Sequence, residues 1–560
     1  MRLCVCIVGT AAAFAALFSH PAHARITFTD PAPLNSNAAT DSGHDFLPRI
    51  ASDNDDTYVV VWSSDEPLGG GDDNDTDIIF SRSTNDGASW SDVANLNNGA
   101  DDDSDEDDQP DVAAGGSTWV VVWTSEKDAG AGDDVDTDIF FARSTNGGAT
   151  WSNSAPIHAN EAADGFNSDN KARVATDGEG NWVCVWSSTA PLTHTGHFDQ
   201  DIVFSRSTDD GVTWTAPAHL NSNAANATGA DYNPFVRSNG AGGWIVVWTS
   251  TDALNGSVSD DPEILVSYST DDAATWSNAS FLNSDHATDQ SDDPIGNDSN
   301  PTIANLSEDE WLVTWDRVGE DETNLGFVSR TTDGGQTWSA AKPIELVPAD
   351  GKAGKPSFSQ FYSYSYGLGT YTSHRSDYPW DNYPQKGGSG NDYDIRFNFS
   401  PDGGKTWTDG EFINNNAFTD SGDDDTPVTA GDADGNIVIV WSSLNTLNNT
   451  IGSDADFLFS RGSVAKLTEL TKPNGGEKWR RGKKQKIEWV SNLDASEKVR
   501  LDLYRNGNKV QTIKNATPND GLFKWKVPNS VSKGGKYRVR ITLKSDTSVQ
   551  DLSLYTFNVK

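Results

Sequence analysis

Three groups of residues have types and spacing that suit chemistry. Two acidic stretches, Gly71-Asp72-Asp73-Asn74-Asp75-Thr76-Asp77 and Gly132-Asp133-Asp134-Val135-Asp136-Thr137-Asp138, repeat carboxylates at close intervals. Hard oxygen donors at such spacing suit calcium, which takes about six to eight oxygens. Asp73, Asp75, Asp77, Asp134, Asp136 and Asp138 are the candidate ligands, with a solvated acidic surface as the plainer reading. Arginines form the second group. Where sister segments write Trp-Ser-Ser or Trp-Thr-Ser, two write Trp315-Asp316-Arg317 and Tyr371-Thr372-Ser373-His374-Arg375. Arg317 and Arg375, with Arg49, can clamp an anion through bidentate guanidinium–carboxylate bonds. Structural ion pairs with the abundant aspartates are the alternative, and Arg173 repeats the place of Arg49. The third group is the loop Asp377-Tyr378-Pro379-Trp380-Asp381-Asn382-Tyr383-Pro384. Tyr378, Trp380 and Tyr383 beside Asp and Asn suit stacking on sugar rings, or form a local aromatic plug.

These residues sit between copies of a repeat. Ser207-Thr208-Asp209-Asp210-Gly211-Val212-Thr213-Trp214 has five near-copies, with tryptophans at Trp90, Trp151, Trp276, Trp338 and Trp407, a period of about 62 residues. A period that long holds four strands and their turns. Each unit has a short apolar piece after Pro, a β-branched run ending in an aromatic (Tyr58 to Trp62, Trp119 to Trp123), a segment like Asp77-Ile-Ile-Phe-Ser-Arg-Ser83, and the Trp of the repeated phrase. Alternation, Val/Ile/Trp/Phe enrichment and Gly/Asp/Asn turns make all four strands. Repeated four-stranded units without helices predict a β-propeller. Six units are complete, and a seventh, from Thr426 to Arg461, lacks its last strand. Leu34-Asn35-Ser36-Asn37-Ala38-Ala39 is identical to Leu220 to Ala225, which follows a fourth strand. The N-terminal strand therefore completes the last of seven blades.

The phrase Ser-x-Asp-x-Gly-x-Thr-Trp identifies the chain as similar to the sialidase-type propellers that carry the Asp-box, or bacterial neuraminidase repeat, over residues 25–465. Asp209, Asp271, Asp333 and Asp402 are its turn aspartates. Their carboxylates accept backbone N–H bonds within a tight turn, a structural role. The turn joins strands three and four, so the long loops lie on the opposite face, where propellers bind ligands. The resemblance implies a glycan ligand and, for an enzyme, a retaining exo-α-sialidase. Three arginines would hold the sugar carboxylate, for which Arg49, Arg317 and Arg375 are the candidates; Arg49-Ile50-Ala51 departs from the family's Arg-Ile-Pro. Tyr371 or Tyr378 would be the nucleophile, Glu320 or Glu322 its activator, and Asp65 or Asp72 the acid. A non-catalytic, calcium-dependent adhesion or scaffold propeller remains the alternative.

Charge divides the chain. Residues 25–465 carry 19 Lys and Arg against 74 Asp and Glu, about −55, and residues 466–560 carry 21 against 9, about +12. So acidic a main region argues against nucleic acid or an anionic membrane as its partner. The β-rich tail, residues 466–560, reads as an Ig-like sandwich. Pro473-Asn474-Gly475-Gly476-Glu477-x-Trp479, Ile487-x-Trp489 and Trp525-x-Val527-Pro528 resemble the Ig-like domain of fungal cell-wall glucan-assembly proteins. Its charge suggests attachment to anionic envelope polymers or docking on the acidic propeller. At the N-terminus, Arg2, an apolar run and Ala22-His23-Ala24 read as a signal peptide, residues 1–24, cleaved after Ala24. Secretion without a transmembrane segment is expected. Cys184, left alone after cleavage, reads as a buried small apolar residue.

Overall fold

The computed structural model describes residues 26–39, 43–66, 68, 75–96, 105–126, 137–157, 167–190, 192, 199–220, 229–252, 254, 261–282, 296–318, 324–344, 359–364, 366–374, 393–400, 405, 407, 411–413, 422–432, 435–444, 447, 455–464, 468–473, 476–491, 497–545, 547, 549–553 and 556–560. Among these, residues 26–464 form seven antiparallel sheets. The first contains Asp45–Ser52, Tyr58–Ser64, Asp77–Ser83 and Ala94–Asn95, in that spatial order. Five more copy it. The seventh takes Asp424–Gly431, Asn436–Ser443 and Asp456–Val464, and is completed from the other end of the chain. Ile26–Phe28 pairs with Gly462–Val464, and Ala32–Pro33 pairs with Leu458–Phe459. The expected N-terminal closure is present, in two short pieces. Innermost strands of successive sheets touch in chain order, and Asp424–Gly431 touches Asp45–Ser52, so the ring closes.

The second strand of each sheet explains the packing. Tyr58–Ser64 and Trp182–Ser188 are buried along their whole length rather than on alternate residues, because each sheet is covered on both faces by its neighbours. A continuous Val/Ile/Trp run is what such a strand requires. Seven apolar clusters follow, one between each pair of adjacent sheets. Cys184 is buried in the cluster between the second and third sheets, as its apolar surroundings in sequence indicated.

The repeated phrase clasps one blade to the next. Trp151 meets Phe80 of the preceding sheet edge-on at 5.9 Å, Trp214 meets Phe141 at 5.9 Å, and Trp276 meets Phe204 at 5.8 Å. Trp90 meets Phe459 at 5.8 Å, carrying the pattern across the closure. Such pairs add about 0.5–1.5 kcal/mol beyond their area. The strand-three arginines reach the same turns: Arg82 donates to Gly147 O, and Arg143 to Asp210 O. Gly211, at φ +75°, lies so close to Val120 that a Cβ would stand 2.9 Å from its Cγ2.

Within the turn, Asp209 accepts Thr213 N at 2.9 Å, Thr213 Oγ1 at 2.7 Å and Ser207 Oγ at 2.8 Å. These bonds, the Thr213 hydroxyl first, hold its pKa down to about 2. A depressed carboxylate contributes stability above its unfolded pKa, and loses it as pH falls through the folded value. Asp209 is exposed, so solvent screens part of this, and Asp209→Ala is expected to cost about 1 kcal/mol at pH 7 through the lost turn bonds. Asp209→Asn is expected to cost less, since Asn85 and Asn146 fill this place in other units and accept the equivalent backbone bond. Denaturant midpoints at pH 7 and between about pH 4 and 2 test both; equal midpoints for Ala, Asn and wild type would contradict the turn's role.

Residues 468–559 form two further sheets. Thr468–Lys472, Lys484–Ser491 and Leu522–Lys526 make one, and the other centres on Lys498–Arg505 and Gly534–Leu543. They share a core of their own, including Trp479, Trp489, Leu501, Trp525, Val539 and Phe557. This is the expected sandwich.

Candidate functional site

The innermost strands begin at the loop-rich face. Six of the seven open with a buried aspartate: Asp45, Asp107, Asp169, Asp231, Asp298 and Asp424. In six sheets the third strand likewise has a buried acid at or next to its start, Asp77, Asp138, Asp201, Glu263, Asp394 or Asp456. In the first sheet, register places Ser64 between Asp45 and Asp77. Buried carboxylates need partners, and the sheet supplies them: Trp62 Nε1 donates to Asp45 at 2.9 Å, and Ser443 Oγ donates to Asp424 at 2.5 Å. Burial, with Asp252 and Asp201 near, pushes the Asp231 pKa well up.

The fifth sheet breaks this pattern. Arg317 stands in the serine column opposite Asp298, and Leu325 replaces the third-strand acid. The Arg317 side chain is 10% exposed; its Nε and Nη2 donate to Asp298 at 2.6 and 2.7 Å, and its guanidinium lies 4.4 Å over Phe327. The ion-pair alternative is thus the geometry found for this arginine, with its fork turned onto Asp298.

Two residues past each first-strand aspartate lies a bulge held at positive φ by Leu47, Gln109, Lys171, Asn233, Asn300 or Thr426. A Pro follows in five of the six; it donates no ladder bond, which suits a bulge. The bulge sets which way the next residues point, and here arginines gather. Arg49 lies on the first sheet's inner strand, Arg173 on the third's, and Arg237 on the fourth's. Each donates Nη1 to the carbonyl just before it, of Pro48, Ala172 and Val236, at 2.8, 2.8 and 3.1 Å. Asp111, from the second sheet, lies between them: its Oδ1 is 3.8 Å from Arg49 Nε, and its Oδ2 accepts Val174 N at 2.9 Å. Burial, and then Arg173, pull the Arg49 pKa down to about 9; Asp111 offsets part of this and Arg237 adds to it. Burial lowers Arg173 too. Arg49 stays protonated at neutral pH, and within the cluster Asp111 acts on both Arg49 and Arg173. An anion entering it would gain charge-assisted bonds.

Arg49 is the member of this cluster anticipated as an anion ligand. Arg173 had been noted as its repeat, and Arg237 had not been singled out. Arg237 could have been found by counting: Phe235 holds the place of Arg49, and Arg237 is on the same strand face two residues on. Tyr371 lies in the strand Tyr366–His374, opposite Arg396. Glu320, Glu322, Asp72, Arg375, Tyr378, Trp380 and Tyr383 lie outside the described residues, as do Asp402, Asp73, Asp134 and Asp136. Asp75, Asp77 and Asp138 are buried at or just before third strands. Among the described residues no three His, Cys, Asp or Glu side chains converge as a metal site. The turn aspartates Asp209, Asp271 and Asp333 are on the face away from the loops, beside the turn joining strands one and two: Asp210 N donates to Gly180 O, and Asp272 N to Gly242 O.

Residues 117–355 match the BNR repeat-like domain. The BNR match begins in the second sheet and runs through the fifth, and residues 472–558 match the Kre9/KNH-like N-terminal Ig-like domain. No curated protein matches the chain. Solved structures similar to this chain include a Hadza microbial sialidase, with 16% identity over 73% of this chain and 76% of that one, and a TM-score of 0.39. Trypanosoma rangeli sialidase in complex with the inhibitor DANA has 11% identity over 80% and 87%, TM-score 0.36. Phage phi92 endosialidase has 10% identity over 94% and 87%, TM-score 0.40.

Proposed function

We propose that this chain is an exported glycan-binding protein whose propeller holds a carboxylated sugar at the inner-strand cluster of Arg49, Arg173 and Arg237. The observation that carries the reading is a set of arginines drawn from three blades, in which Arg49 lies 3.8 Å from Asp111 and feels both Arg173 and Arg237. Elsewhere on these strands Asp45, Asp424 and Asp298 meet indole, hydroxyl and guanidinium donors respectively. Here guanidinium groups from separate blades come within reach of one another, in a region of net charge about −55. Loops on a rigid ring would supply the contacts to the remainder of the sugar, with Tyr378, Trp380 and Tyr383 as stacking candidates. Export follows from residues 1–24 as read in the sequence.

Titration calorimetry with sialic acid, glucuronic acid and galactose tests the reading. Heat from the two acids and none from galactose is expected. Equal responses, or none, would remove it. A fluorogenic sialoside in parallel tests the hydrolase form, in which Tyr371 and Glu320 would act as the nucleophile and its activator; no turnover beside intact binding leaves the binding form alone. Calcium in the loops 71–77 and 132–138 belongs to the same proposal. Excess chelator is then expected to lower the melting temperature, and an unmoved melting temperature would rule the ion out.

A further inference from the structure

The tail contains an arrangement that folding alone does not favour. Register places Lys484 directly opposite Lys526, and Lys486 directly opposite Lys524. All four are exposed. Between them Gln485, Ile487 and Trp525 turn inward, with Ile487 and Trp525 in the core, so the four lysines share the outer face. Facing side chains on paired strands are about 5 Å apart, and alternate residues along a strand about 7 Å. Like charges directly opposite one another destabilise a sheet. Glu488 lies at one end, 3.0 Å from Lys486 and 3.7 Å from Lys472. Lys484, Lys524 and Lys526 have no acidic partner among the described residues. The turn that leads into this face adds Arg480 and Lys483, both exposed, and its backbone is tied to the same sheet through Gly482 N to Val527 O at 2.7 Å.

We infer that this face binds a linear carboxylated polysaccharide. Lysines set at the corners of a rectangle by the strand register, on every second residue of two strands, meet a polymer that presents one carboxylate per sugar. The strands fix the spacing before binding, so little order is lost on contact. Lysines present compact point charges suited to separate carboxylates, whereas a phosphate backbone favours the fork of arginine. Single-stranded nucleic acid also uses aromatic platforms, and Lys472, Lys484, Lys486, Glu488, Leu522, Lys524 and Lys526, which make up this face, include none. The site is separate from the propeller and stands whatever the propeller binds.

The test is retention of the full chain on immobilised polygalacturonate, dextran and single-stranded DNA at low and high salt. Retention on polygalacturonate that is lost at about 0.5 M salt, where screening is strong, is expected, with none on dextran and less on DNA. The variant Lys484→Ser/Lys486→Ser/Lys524→Ser/Lys526→Ser is expected to lose at least about tenfold in affinity, with a melting temperature equal to or above that of the wild type. Stronger retention on DNA would reassign the face to nucleic acid. Unchanged binding by the variant, or no retention of the wild type, would overturn the inference. A control monosaccharide titration of the variant reports the propeller separately.

Discussion

Asp298→Ala is expected to destabilise the propeller by about 3–5 kcal/mol, because it leaves the Arg317 guanidinium buried without its counter-charge. Arg317→Ser is expected to cost far less. It restores the residue found at the same point of the first and seventh sheets, where Ser64 and Ser443 lie opposite Asp45 and Asp424. Asp298 would then have a hydroxyl partner of the kind that Ser443 gives Asp424. The comparison is sharp because both changes remove the same ion pair, but only Arg317→Ser puts a polar partner opposite the group left behind. Denaturant midpoints of the two variants decide it. If Asp298→Ala proves as mild as Arg317→Ser, the pair is not structural, and Arg317 returns as a candidate for the anion clamp.

Arg173→Met is expected to act in the opposite sense on fold and on function. It removes one of three mutually repelling guanidinium groups and leaves Arg49 with Asp111. Buried charges replaced by apolar residues of similar volume are often neutral or stabilising, so the melting temperature should hold or rise. Relief of repulsion should also let the Arg49 pKa climb from about 9. Binding of a carboxylated sugar should weaken by roughly 10–100-fold, the loss of a hydrogen bond to a charged group worth about 1.5–3 kcal/mol. A residue with only a structural role would not separate the two readouts in this way.

The fold was legible because it is written several times. Six copies of the turn phrase marked the blades, the identity of Leu34–Ala39 with Leu220–Ala225 marked the closure, and the junction between strands three and four marked the face away from the loops. The candidate site was legible only in part. Counting from Trp315 puts Arg317 in the buried serine column, but its orientation depends on the pairing Asp298↔Arg317 across 19 residues. That pairing depends in turn on a bulge at Asn300. The bulges carry Leu, Gln, Lys, Asn and Thr at positive φ, residue types that do not announce left-handed backbone in the way glycine does. The first-strand aspartates recur three residues before the prolines, as in Asp45–Pro48 and Asp231–Pro234, and that column was readable; its burial is a product of sheet-on-sheet packing that no local pattern displays. Arg237, on the fourth sheet, comes within electrostatic reach of Arg49, on the first, a relation that exists only in the closed ring.

The most direct test of the account is titration of sialic acid into the full wild-type chain and Arg173→Met at matched pH and salt, with melting temperatures recorded on the same samples. The account predicts binding by the wild type, at least about tenfold weaker binding by the variant, and a variant that melts no lower. Equal affinity in the two proteins, or weakened binding that merely follows a lowered melting temperature, would contradict it.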